Sequence, residues 1–150
     1  MGRSETLDSE AVAAMLGRDR AEWEALVAAL EAHPEDVLHE ANALPWTSRD
    51  VYAHLARWME RSTAELRACL DGRALRQLEG TNDEINARWQ EEDSGLSLDE
   101  ARKRAQQGFE QRLRAIEAVP VGRWDKVLGA IARADGAEHY ASHRRYIAVP

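Results

Sequence analysis

Apolar residues recur at three- and four-residue intervals along most of this 150-residue chain, and runs of β-branched residues are nearly absent. That pairing commits the chain to helices. A 3.6-residue period lines up an apolar helix face, whereas a strand needs strict alternation and the branched and aromatic residues that fit a pleated surface. Five Trp, three Tyr and one Phe are all the aromatic residues available for strands. The length suits one domain, residues 1–150, with enough chain to bury a core.

Start and stop signals divide the chain. The first helix is predicted from about Ser9 to His33, with Val12, Met15, Leu16, Trp23, Leu26, Val27 and Leu30 inward and Pro34 ending it. His33–Trp46 reads as a connector with one helical turn, because Pro45 blocks propagation. Thr47 and Asp50 form a helix start, and the second helix runs to about Leu70 on a face of Val51, Leu55, Trp58, Met59, Leu66 and Leu70. Asp71-Gly72 stops it. Residues 73–94 are polar, with a short helix at Asn82–Gln90 carrying Ile85 and Trp89. Its length suits a crossover between parallel neighbours. Ser97 and Glu100 form a second capping box, opening a third helix to about Val119. A short helix follows at Trp124–Ala132, and Asp135-Gly136-Ala137-Glu138 reads as a third cap opening a final helix to about Ile147. The expected architecture is all-α, a four-helix bundle with a long crossover between helices 2 and 3.

Charge and cysteine usage exclude several roles. A net charge of −7 argues against nucleic-acid binding, which needs a basic face. One Cys excludes an intramolecular disulfide framework and a Cys-rich zinc finger. No apolar run approaches 18 residues, so no membrane span is expected. The first ten residues contain no apolar stretch of a secretory leader, and Gly2 lies in no convincing lipidation context. A soluble cytoplasmic domain is the expectation.

His139 and His143 carry the strongest chemical signal. Spacing i, i+4 puts both imidazoles on one helix face, about 40° apart and about 6 Å along the axis, where they can share a transition-metal ion. The spacing alone is equally that of two solvated surface His. His54 changes the balance, because it sits inside the apolar run around Val51 and Leu55, where a polar group needs a partner. Three inward His would satisfy one another by holding one ion and leaving a fourth position open. The alternative for His54 is a core His bonded to a carbonyl or carboxylate.

Three stretches in this order resemble the DinB/YfiT superfamily of four-helix bundles, most closely its ClbS/DfsB-type branch. They are Leu44 to Trp58, Asn82 to Arg88, and Glu138 to Ile147. That superfamily places one His on helix 2 and a His-x-x-x-His pair on the last helix, matched here by His54, His139 and His143. The resemblance implies a metal-binding bundle acting on small molecules, by thiol transfer, isomerisation or hydrolysis, on electrophilic or stress-related compounds. The implied cofactors are a divalent transition metal, nickel or zinc first, and a low-molecular-weight thiol. Some ClbS-type members work without a metal. The implied partner is a small-molecule substrate, with no nucleic acid and no membrane.

Around the three His, Asn86 is a candidate to orient substrate, or else a cap. Trp58 and Trp89 are candidate pocket walls, though Trp at helical spacing is more often core. Glu60, Glu65 and Glu138 are candidates for a general base or for a carboxylate that supports a ligand, and none is singled out as the base. Glu65 lies roughly 16 Å along its helix from His54, and Cys69 roughly 22 Å; Cys69 reads as structural. His33 and His39 read as solvated, Arg144 and Arg145 as favourable charges at a helix C-terminus, and Gln90 to Asp93 as a solvated turn. Two other classes compete: a metal-free small-molecule binding protein using the same pocket, and a structural bundle forming a homodimer, although no face of the sequence demands one.

Overall fold

The computed structural model describes residues 7–41 and 44–147 and, for residues 39–41, 44 and 146, the backbone alone. The N-terminal residues weighed above for lipidation lie outside this range, as does the side chain of His39. Six α-helices occupy the described residues: α1 (Ser9–Ala32), α2 (Ser48–Leu70), α3 (Asn82–Glu92), α4 (Leu98–Glu117), α5 (Lys126–Ala134) and α6 (Ala137–Ile147). None is long and apolar enough to cross a membrane.

Side chains start most of them. Asp8 accepts from the Ala11 N–H at 2.7 Å, which begins α1. Asp50 Oδ2 accepts from the Thr47 N–H at 2.9 Å at the start of α2. Ser97 and Glu100 bond reciprocally at α4, at 3.0 and 3.2 Å. Thr81 and Glu84 do the same at α3, a Thr-x-x-Glu box that was readable in the sequence but passed over. Asp125 caps α5 through the Leu128 N–H at 2.8 Å.

The expected helical turn between α1 and α2 is instead an antiparallel hairpin, β1 (His39–Ala41) with β2 (Leu44–Trp46), in the register His39↔Trp46, Glu40↔Pro45 and Ala41↔Leu44. Pro45 blocks a helix, as expected, and a two-stranded ribbon, being all edge, tolerates it. The short helix expected at 124–132 starts two residues later, after a 3₁₀ turn at Val121–Arg123.

Polar contacts fix the directions of the bundle. Arg49 reaches the Asp93 carbonyl beside the start of α4, and Arg123 reaches the Leu70 carbonyl at the end of α2, so α2 and α4 run parallel. The pairs Arg20–Glu117 and Glu31–Arg102 set α1 antiparallel to α4. Asp19 meets the start of α6 and Glu22 meets Arg144 further along it, which sets α1 and α6 parallel. The stretch 73–97, including α3, is therefore the crossover that parallel neighbours require. α4 packs against α2 at Gly108, where an added Cβ would stand at ordinary contact, 3.7 Å from the Ala56 carbonyl oxygen.

Trp23 stacks on Phe109 with centroids 4.8 Å apart, and Tyr140 meets both edge-on. Leu26, Leu30, Leu55, Met59, Leu66 and Ile116 complete the core. Within it lies an ion pair, Arg112 Nη1 to Asp19 Oδ2 at 2.8 Å, with side chains 2% and 3% exposed. Arg112 also donates to the Ala132 carbonyl, and Asp19 Oδ1 accepts from the Ala137 N–H at 2.9 Å. One buried pair thus ties α1, α4, α5 and α6 together.

Candidate metal centre

α2 and the first two turns of α6 bring His54, His139 and His143 to one place. Each offers a ring nitrogen, and the three nitrogens lie within 4.8 Å of one another. Ring centroids are 5.4 Å apart for His54 and His139, 4.9 Å for His54 and His143, and 4.8 Å for His139 and His143. His143 is buried and the other two are half-buried. The local sequence accounts for this. Val51 and Leu55 put the apolar face of α2 into the core and carry His54 to its edge, while buried Tyr140 and Ile147 do the same for the two His of α6.

The Nε2 atoms of His139 and His143 are 3.1 Å apart. Two imidazole ligands at 2.0–2.1 Å from a tetrahedral ion stand about 3.3 Å apart, so this pair fits adjacent corners of such a site. The donor set is neutral imidazole, which suits zinc, nickel, copper or iron rather than calcium or magnesium. The chemistry and spacing of these residues fit a transition-metal ion.

A cleft of about 520 Å³ opens beside His54 and His139, walled further by Trp58, Arg61, Ser62, Glu65, Asn82, Asn86, Asp135 and Glu138. Trp58 Nε1 donates to Asn86 Oδ1 at 2.7 Å. That bond pins the crossover helix to α2 and leaves the Asn86 amide nitrogen as its donor. Trp89 is not in this wall. It meets Trp58 edge-on at 4.9 Å, lies under the Arg57 guanidinium, and borders a small void that it shares with Trp46, Asp50, Asn86 and His54. The larger groove between α1 and α4, about 660 Å³ around Trp23 and Phe109, contains none of the three His.

Other candidates are engaged elsewhere. Glu60 forms a two-point pair with Arg104 at 2.7 and 2.8 Å. Glu65 does line the cleft, three turns along α2 from His54, and accepts from Arg61 at 2.8 Å. Arg144 donates to Glu22 at 2.9 Å and Arg145 is exposed. His33 pairs with Asp36 at 2.9 Å and is half-buried. Cys69 is a free thiol packed against the core. Burial raises the Tyr140 phenol above its ordinary value, so it stays neutral and donates to Met59 Sδ.

Two sequence readings are corrected here. Gln90 to Asp93 is no solvated turn: α3 continues to Glu92, and Asp93, 6% exposed, receives Arg57 at 2.8 and 3.0 Å. Asp135 does not cap α6, whose first N–H goes to Asp19. Its carboxylate instead accepts from Ser62 and lies 3.3 Å from His139 Nδ1. Arg61, Ser62 and Asp135 were all missed as cleft residues. A Ser or Arg on a helix carries no local signal of what faces it, and the Asp135 capping pattern pointed elsewhere.

Among known proteins, one family model matches residues 11–145, that of the mycothiol maleylpyruvate isomerase N-terminal domain. No curated protein and no solved structure matches.

Proposed function

The chain belongs to the mycothiol maleylpyruvate isomerase N-terminal domain family, a DinB-like superfamily domain, and on that premise we propose that it is a thiol-dependent, metal-centred enzyme acting on a small electrophile. The observation that carries this reading is the convergence of His54, His139 and His143 beside a cleft of about 520 Å³. The family's description pairs a thiol with a small acid, which favours thiol transfer or isomerisation over hydrolysis. The whole of 1–150 is taken as one domain.

His54, His139 and His143 would hold a divalent ion, zinc or nickel, which would supply Lewis acidity that favours the thiolate form of a thiol. The remaining work falls to the cleft. Trp58 offers an apolar face to the substrate, and the Asn86 amide nitrogen donates to a substrate oxygen. Arg61, held by Glu65 and by the Arg76 carbonyl at 3.0 Å, presents positive charge to an acidic group.

The test is metal content. Untagged protein incubated with zinc or nickel, then desalted, is expected to carry about one equivalent per chain by elemental mass spectrometry. His139→Ala should lose it while keeping its helical circular dichroism. A full complement in that variant would overturn the site. Zinc-loaded protein should then consume a thiol and an electrophile together, and the His139→Ala variant should not.

One observation favours a second reading, that of a metal-free ClbS/DfsB-type small-molecule protein. At 3.1 Å, the His139 and His143 Nε2 atoms can share a proton as a hydrogen bond. Absence of metal after incubation, with melting temperature and tryptophan emission unchanged by a chelator, would select it.

A further inference from the structure

We propose that Asp135 is a positioning residue for the metal centre: with Ser62 holding it, its carboxylate orients His139 so that Nε2 is presented to an ion. This rests on the three-His reading and extends it to two residues outside the ligand set.

The geometry divides the work between the two edges of one ring. His139 Nδ1 lies 3.3 Å from Asp135 Oδ1, and Nε2 lies 3.1 Å from His143 Nε2. A carboxylate at Nδ1 draws the ring proton to that side and leaves the Nε2 lone pair for a ligand bond. The other carboxylate oxygen, Oδ2, accepts from the Ser62 hydroxyl, which anchors the group and leaves Oδ1 facing Nδ1 as a charge contact rather than an aligned hydrogen bond. Ser62 is 5% exposed and Asp135 8%, so little of either faces the water of the cleft they line.

A purely structural role for this carboxylate is poorly supported. Asp135 ends α5 through its backbone N–H, bonded to the Arg133 carbonyl, not through its side chain. The first N–H of α6 is taken by Asp19 from α1. With both helix ends satisfied, the carboxylate is available to the imidazole. The neighbouring carboxylates are placed otherwise: Glu65 is paired with Arg61, and Glu138 is exposed. Ser62 lies two helical turns after His54, so α2 contributes both a ligand and the group that steadies the other helix's ligand.

The test compares wild type, Asp135→Asn, Ser62→Ala and His139→Ala. Zinc affinity is measured by competition with a chromophoric chelator, and cobalt(II) absorption reads the ligand geometry. Asp135→Asn keeps the shape and removes the charge. It should weaken zinc binding about 10- to 100-fold and alter the cobalt bands, with the metal-free melting temperature little changed. Ser62→Ala should weaken zinc by a smaller factor, roughly two- to tenfold. That arm decides the matter where Asp135→Asn fails to fold. Zinc affinity equal to wild type in a folded Asp135→Asn, or in Ser62→Ala, overturns the inference while leaving the three-His site standing. A wild type that binds no zinc overturns both, and His139→Ala serves as the floor for each comparison.

Discussion

Asp19 and Arg112 stand 93 positions apart in sequence and 2.8 Å apart in space. Neither announces the other. Each stands within its own helix, and only the packing of α1 against α4 makes them one buried pair. Removing one partner of such a pair leaves a desolvated charge behind. Arg112→Met is therefore expected to cost about 3–5 kcal/mol of stability, read as a lower urea midpoint. A midpoint within experimental error of wild type would show the pair to be dispensable. The three His behave differently. Their spacing and their apolar setting were legible, because a polar ring on an apolar stripe demands a partner wherever the chain goes. Asp135 was misread for the opposite reason: its local pattern is a cap, and a residue from α1 took that place.

At the scale of the element, capping residues decided where helices start. Thr47, Ser97 and Asp50 did so legibly, since a cap is a contact within four residues. The hairpin 39–46 was not legible, because Pro45 excludes a helix without specifying what replaces it. Two glycines separate local from tertiary causes. At Gly136, where α5 hands over to α6, an added Cβ would lie 2.6 Å from Arg112 Nη2 and 2.7 Å from Asp19 Oδ1. Gly136→Ala should therefore cost about 1–3 kcal/mol and weaken zinc binding, since it displaces the helix that carries His139 and His143. At Gly108 the nearest atoms would be at ordinary contact, 3.7 Å and beyond. Gly108→Ala should be neutral or raise stability by up to about 1 kcal/mol. Thermal melts of the two variants check both signs. Similar losses in both would mean that α2 and α4 tolerate no added methyl.

For the whole molecule, the centre joins His54 on α2 to His139 and His143 on α6, 85 and 89 positions further along the chain, so an ion held there ties the two helices together. Binding to the folded state alone raises stability by mass action. Zinc at about a hundredfold excess over its Kd should stabilise wild type by about 2.7 kcal/mol, reversibly with chelator, and His54→Ala should lose the effect. An unchanged wild-type melting temperature would argue that the imidazoles hold no ion. The cleft beside those rings is walled by α2, by the crossover helix α3 and by the junction of α5 with α6.

The sequence by itself determined the helices, the caps at Thr47 and Ser97, the crossover and the three imidazoles, because apolar period, capping and ring spacing are all set within a few residues. Tertiary structure alone decided that Asp19 caps α6, that Asp93 is buried beneath Arg57, that Trp89 stands outside the cleft, and that Ser62 and Asp135 face His139. These are contacts between residues far apart in the chain. They depend on how helix faces rotate and slide against one another, which side-chain volume and burial settle only when all the helices pack together.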